Sequence, residues 1–114
     1  MKWDIQIKVP IFGSVCDFYF GDVQRLTDYM NAITKAGYNG KETMHYEDTK
    51  GLTWGSYVYM KNIKSHSNIA HEINHLVTNI LEKKGIFNDE TRAYITGYIT
   101  GKFYKKIEKL NANL

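Results

Sequence analysis

Ser67-Asn-Ile-Ala-His71-Glu72-Ile-Asn-His75-Leu-Val-Thr-Asn-Ile-Leu-Glu-Lys-Lys-Gly85 brings two histidines and a glutamate into one short segment. Its flanks mark it as a helix. Ser65, Ser67 and Asn68 are alternative N-caps, and Lys83-Lys84-Gly85-Ile86 closes it with lysines in the last turn, glycine at the usual left-handed position and an apolar residue beyond. At about 100° per residue, with His71 at zero, Ile69, Ile73, Leu76, Val77, Ile80 and Leu81 fall between about 140° and 280°. That is a core stripe, and the histidines point away from it.

His71-Glu72-Ile73-Asn74-His75 reads H-E-x-x-H. Residues i and i+4 of a helix differ by about 40° and rise about 6 Å, so both imidazoles can converge on one metal ion. Glu72 projects about 100° from His71, beside such an ion, where a carboxylate takes a proton from an activated water. Its expected role is general base, and His71 and His75 are the expected ligands. Two histidines on the polar face of an amphipathic helix also fit plain solvation. The glutamate after the first histidine, inside a capped helix, favours the metal reading.

Outward from this helix, Trp3, Ile5, Ile7 and Val9 alternate with polar residues, and Ser14-Val-Cys-Asp-Phe-Tyr-Phe-Gly21 resumes an extended pattern, which predicts two strands in a hairpin. Val23, Leu26, Met30 and Ile33 recur at helical spacing from Asp22 and stop at Gly37. Residues 38–51 read as a polar turn with a weak strand, and Leu52 to Met60 as one further strand rich in β-formers. Asn88 or Asp89 caps a last helix over about residues 89–110, with Asp89 and Glu90 in its first turn. The expected order is β-β-α-(β)-β-α-α. It makes residues 1–114 one α+β domain, with a small, mostly antiparallel sheet packed against the H-E-x-x-H helix, a C-terminal helix and one N-terminal helix.

A catalytic zinc needs a third protein ligand. In the last helix, with Glu90 at zero, Ala93, Tyr94, Gly97 and Gly101 lie within about 60°, opposite Ile95, Ile99, Phe103 and Ile107. Two glycines a turn apart cost a helix about 1 kcal/mol each and suggest close packing on a neighbouring backbone. That neighbour would be the histidine helix, with Glu90 facing the imidazoles. Simple helix packing accounts for the glycines equally well, and a tight connection after Lys84 would leave Glu90 near the turn, about 15 Å along the axis from His75. Glu82 shares the His71 face but lies about 10 Å beyond His75. Glu90 is the best candidate.

Ala70-His-Glu-Ile-Asn-His-Leu-Val77 followed by Asp89-Glu-Thr-Arg-Ala-Tyr-Ile-Thr-Gly-Tyr-Ile99 resembles the short zincin-like metallopeptidases encoded by bacteriophages, of the gluzincin pattern. The resemblance covers roughly residues 54–104. It implies a minimal zincin-like domain and a zinc-dependent peptidase, with Zn2+ on His71, His75 and Glu90 and with Glu72 as base. Relatives often carry an acidic residue where this chain has Arg92. Zincins often bind substrate as a strand added to the sheet edge before the metal helix, so a peptide or protein substrate is expected along Trp54 to Met60, near Trp54, Tyr57 or Tyr59. Tyr94 or Tyr98 is the candidate oxyanion donor, Tyr94 being the choice carried forward.

Composition narrows the alternatives. The chain has 114 residues, 43% hydrophobic and 14% aromatic, room for one modest core. Its single cysteine, Cys16, excludes an internal disulfide framework and reads as a small buried apolar residue. The N-terminus lacks a signal-like apolar run, and no stretch approaches the roughly 20 apolar residues of a membrane span, so a cytoplasmic setting is expected, the host cytoplasm for a phage product. A net charge of +3 rests largely on Lys102, Lys105, Lys106 and Lys109, which suit a solvated helix end and do not call for nucleic acid. His66 reads as a loop or capping residue, and His45 lies in a polar turn. The competing reading is a zincin-like binding or inhibitory module without hydrolytic activity, whose metal only braces two helices.

Overall fold

The computed structural model describes residues 2–10, 12–40 and 49–112. The opening alternation forms antiparallel strands β1 (Ile5–Val9) and β2 (Ser14–Phe20), with Ile5 opposite Phe18 and Val9 opposite Ser14. Asp22 then starts α1 (Val23–Lys35), its carboxylate accepting from the backbone N–H groups of Gln24 and Arg25 at 3.1 and 3.4 Å. Residues 41–48, with His45 and most of the expected weak strand, lie outside the described residues.

The stretch expected as a single strand is a hairpin. β3 (Gly51–Trp54) and β4 (Tyr57–Met60) are antiparallel, and Trp54 pairs with Tyr57 across the two-residue loop Gly55-Ser56. Gly55 has φ +57°, a conformation that glycine adopts without a Cβ penalty at the first position of a tight loop. Apolar residues on both sides of the loop hide it in the sequence.

α2 (His66–Lys84) begins at Ser65, whose hydroxyl accepts from the Asn68 N–H at 3.2 Å. It ends at Gly85 with φ +69°, and the Ile86 N–H reaches back to the Leu81 carbonyl at 2.9 Å, a Schellman-type closure. α3 (Asp89–Ala112) is started by Asn88, whose side chain accepts from the Thr91 N–H at 3.0 Å.

The sheet order is β1-β2-β4-β3, an α+β arrangement of four strands and three helices among the described residues. The two hairpins are antiparallel, as expected, but the central pair β2–β4 is parallel, Asp17 lying opposite Tyr57 and Phe20 opposite Met60. β3 starts at the Phe20 end of the sheet and returns the chain to the Asp17 end, so β4 runs alongside β2 in the same direction. Period-two alternation then divides two cores. Ile5, Ile7, Cys16, Phe18, Val58 and Met60 pack under α2 and α3, while Tyr19 and Tyr59 meet Leu26, Tyr29 and Ile33 of α1 on the other face. The α2 stripe from Ile69 to Leu81 is buried to 5% exposure or less, each side chain contributing about 1.5–3 kcal/mol of transfer free energy.

α3 buries Ile95, Ile99, Phe103 and Ile107, with the Phe103 ring 5.1 Å from that of Phe18. The same rotation overturns the expected packing of the small-residue stripe. Ala93, Gly97 and Gly101 are exposed, and a Cβ on either glycine would meet nothing within 4 Å. Contact with α2 runs through other α3 residues. Arg92 donates to Thr78 Oγ1 at 3.0 Å and Asn74 Oδ1 at 3.4 Å, and the Tyr104 hydroxyl meets His66 Nδ1 at 2.6 Å.

Candidate metal centre

Three side chains on one ridge of α2 fix how the helix is rotated over the β3–β4 hairpin. Asn68 donates to the Lys50 carbonyl at 3.0 Å, Thr53 donates to Glu72 Oε1 at 2.8 Å, and Asn79 donates to the Gly55 carbonyl at 3.1 Å. From Asn68 to Asn79 is about 16 Å of helix, so the clamp spans the length of β3. With that ridge against the edge strand and the apolar stripe on the sheet, His71 and His75 are held on the outer side of α2.

There the two imidazoles meet. His71 Nε2 and His75 Nε2 are 3.1 Å apart, the rings edge to face with centroids at 4.6 Å. Two nitrogens on one tetrahedral zinc at about 2.0–2.1 Å would stand about 3.3 Å apart, so the pair fits shared coordination. One ring donating an N–H to the other gives the same spacing when no ion is bound. The His71 side chain is 65% exposed.

Glu72 is treated differently from its neighbours. It is 4% exposed, its Oε1 is capped by the Thr53 hydroxyl, and its Oε2 lies 3.9 Å from His71 Nε2. The carboxylate therefore presents one restrained oxygen beside the imidazole pair. Room for it depends on Gly51, where a Cβ would fall 2.8 Å from Glu72 Cδ and Oε2. Such a contact is too close for any other residue in that strand position without displacing the carboxylate.

The remaining sequence candidates are elsewhere. Glu90 is exposed and lines a depression with Phe12, Ile86 and Tyr94, which neither histidine lines. It stands two residues, about 200°, from Arg92, and it is Arg92 that faces α2. Among the described residues no three His, Cys, Asp or Glu side chains are grouped to hold an ion, while His71, His75 and Glu72 lie side by side. Tyr94 is 54% exposed and stacks on Tyr98 with centroids at 6.5 Å, on the same outward side of α3 as Glu90. Glu82 is exposed. His66 opens α2 and stacks on Tyr104. Cys16 is fully buried, and burial pushes its thiol up to about 12, which leaves it unreactive.

The stretch expected as the edge strand divides in two. Among the described residues β3, not β4, is the sheet edge beside α2, because the Gly55 turn folds Tyr57–Met60 inside. Trp54, Tyr57 and Tyr59 belong to the α1 face, where Trp54 meets Tyr38 edge to face. Thr53 and Gly51 contact Glu72 and were not singled out by the sequence. Their only signal is alternation along β3, which puts them on the α2 face opposite Leu52 and Trp54. No protein-family model, curated protein or solved structure matches the chain.

Proposed function

We propose that the chain is a zinc-dependent peptidase centred on His71, His75 and Glu72. The observation that carries this reading is the 3.1 Å approach of the two Nε2 atoms beside a buried, hydroxyl-capped carboxylate. Zinc held by the two imidazoles would supply Lewis acidity, polarising a peptide carbonyl and drawing a water toward ionisation near neutral pH. Glu72 Oε2 accepts the water proton and returns it to the leaving amine. Thr53 holds Oε1, so the base keeps one orientation through both transfers. The peptide would lie along the outer edge of β3, the strand that borders the site.

The test is zinc content by elemental analysis together with hydrolysis of a mixed peptide library, on the native chain and on His71→Ala, His75→Ala, Glu72→Gln and Glu90→Ala. One zinc per chain is expected, lost with either histidine and retained in Glu72→Gln, whose hydrolysis falls at least about 100-fold. Loss of zinc in Glu90→Ala would assign the third ligand to the first turn of α3. A native chain that takes up no zinc after reconstitution overturns the proposal.

A further inference from the structure

The two edges of the sheet carry different chemistry. At the edge opposite β3, a groove of about 340 Å³ runs between β1 and α3, lined by Trp3, Lys8, Tyr98, Lys102 and Lys106 among others. It adjoins a depression of about 190 Å³ that shares Trp3 and Lys106 and adds Lys109. The one carboxylate lining either is Asp4, which is bound to Arg25 at 3.0 Å. Four lysines in this one place exceed the net charge of the whole chain, +3.

Local stability does not explain that concentration. Lys102, Lys106 and Lys109 recur on one side of α3, where like charges a turn apart weaken a helix. Among the described residues none of the four lysines is in an ion pair. A basic helix end suits the helix dipole, but the dipole has no bearing on Lys8 in a strand.

Aromatic rings complete the surface. The Lys102 ammonium lies 5.7 Å from the Tyr98 ring centroid and that of Lys2 lies 5.2 Å from Trp3, while Tyr94 extends the Tyr98 stack into solvent. Trp3 and Tyr98 are half-buried, and ammonium groups beside partly exposed rings suit a chain of phosphates and bases. An acidic peptide added to β1 would use the charge but not the rings, and lysine on an edge strand opposes strand addition.

We infer that this groove binds single-stranded nucleic acid, with phosphates on Lys8, Lys102, Lys106 and Lys109 and bases stacked on Trp3 and Tyr98. The site is independent of the histidine pair, and neither reading requires the other. The test is fluorescence anisotropy of a labelled 15-nucleotide thymidine strand with the full chain over a range of salt. Three or four phosphate contacts predict a log–log salt slope of about −2 to −3. The Lys102→Ala/Lys106→Ala double variant is expected to bind at least ten-fold more weakly, and Tyr98→Ala about five-fold or more. Lys35→Ala/Lys64→Ala, at positions that line neither depression, should bind as the native chain does. Circular dichroism of each variant separates lost binding from lost folding. No binding at 50 mM salt overturns the inference, as does unchanged affinity in the folded double variant. Equal competition by a polyglutamate peptide, with Tyr98→Ala silent, also overturns it and makes an acidic protein the partner.

Discussion

Thr53→Val removes one hydroxyl while nearly preserving shape. That hydroxyl donates to Glu72 Oε1 at 2.8 Å, with the Glu72 backbone carbonyl a longer alternative at 3.4 Å, and Glu72 is 4% exposed. A hydrogen bond to a charged group is worth about 1.5–3 kcal/mol, and a carboxylate left buried without it cannot recover the bond from bulk water. We take about 2 kcal/mol as the expected loss at pH 7. At roughly 4 °C per kcal/mol for a chain of this size, the melting temperature should fall by about 8 °C. The decisive assay is a double-mutant cycle by urea unfolding with Glu72→Met, which fills similar volume and accepts no comparable bond. In that background Thr53→Val should be neutral or slightly stabilising, so the coupling should approach 2 kcal/mol. A coupling below about 0.3 kcal/mol would refute the reasoning, because Thr53 would then be supporting the hairpin and not the carboxylate.

Gly51→Ala should destabilise by about 1–3 kcal/mol, since its Cβ would lie 2.8 Å from Glu72 Cδ, and a Glu72→Ala background should relieve the loss in the same unfolding assay. Gly97→Ala and Gly101→Ala should each stabilise by about 0.5–1 kcal/mol, because both positions are exposed mid-helix and an added Cβ meets nothing within 4 Å. A fall in melting temperature in either variant would place another surface against α3. Asp17 is held above the usual carboxylate range by burial, only partly offset by the hydrogen bond from Gln6. Its ionisation therefore opposes folding above the folded-state pKa, and the penalty disappears below the unfolded value near 3.9. Asp17→Asn should accordingly raise the melting temperature at pH 7, and the gain should shrink as pH falls toward 3.9.

Ends and stripes were legible because they depend on neighbours in sequence. Ser65 and Gly85 bound α2 as their chemistry predicts, and the apolar residues at helical spacing in α2 and α3 are the buried ones. The Gly55 turn was not legible, since Leu52 to Trp54 and Tyr57 to Met60 are equally apolar and periodicity does not register a two-residue reversal. The surroundings of Glu90 were not legible for another reason. A helical wheel states which residues share a face, but not which neighbour that face meets. Ile95 and Phe103 turn toward the sheet, Arg92 reaches α2, and the Glu90 side of α3 is left to solvent. Thr53 and Glu72 are 19 residues apart, and only the hairpin brings them together.

Three departures from ordinary sequence economy meet at one place. A glycine occupies a strand, where it weakens pairing. A carboxylate is buried with, among the described residues, one hydroxyl donor, although an apolar side chain would be cheaper to bury. Two imidazoles are exposed with their Nε2 atoms 3.1 Å apart. Each alone is a small local cost with an ordinary explanation. Together they are linked, because Gly51 makes the space for Glu72, Thr53 fixes its free oxygen, and that oxygen lies beside His71. Stability alone would favour alanine or valine at 51 and methionine at 72, and would place no constraint on residues 71 and 75. The proposed centre, a positioned base beside two metal ligands, would account for all four positions at once. That convergence gives the peptidase proposal a consequence in stability as well as in activity: Glu72→Met, with Gly51 kept, should yield a chain at least as stable as the native one and hydrolytically dead. If that variant is less stable, the carboxylate is there for the fold, and the strongest structural support for the proposed centre is gone.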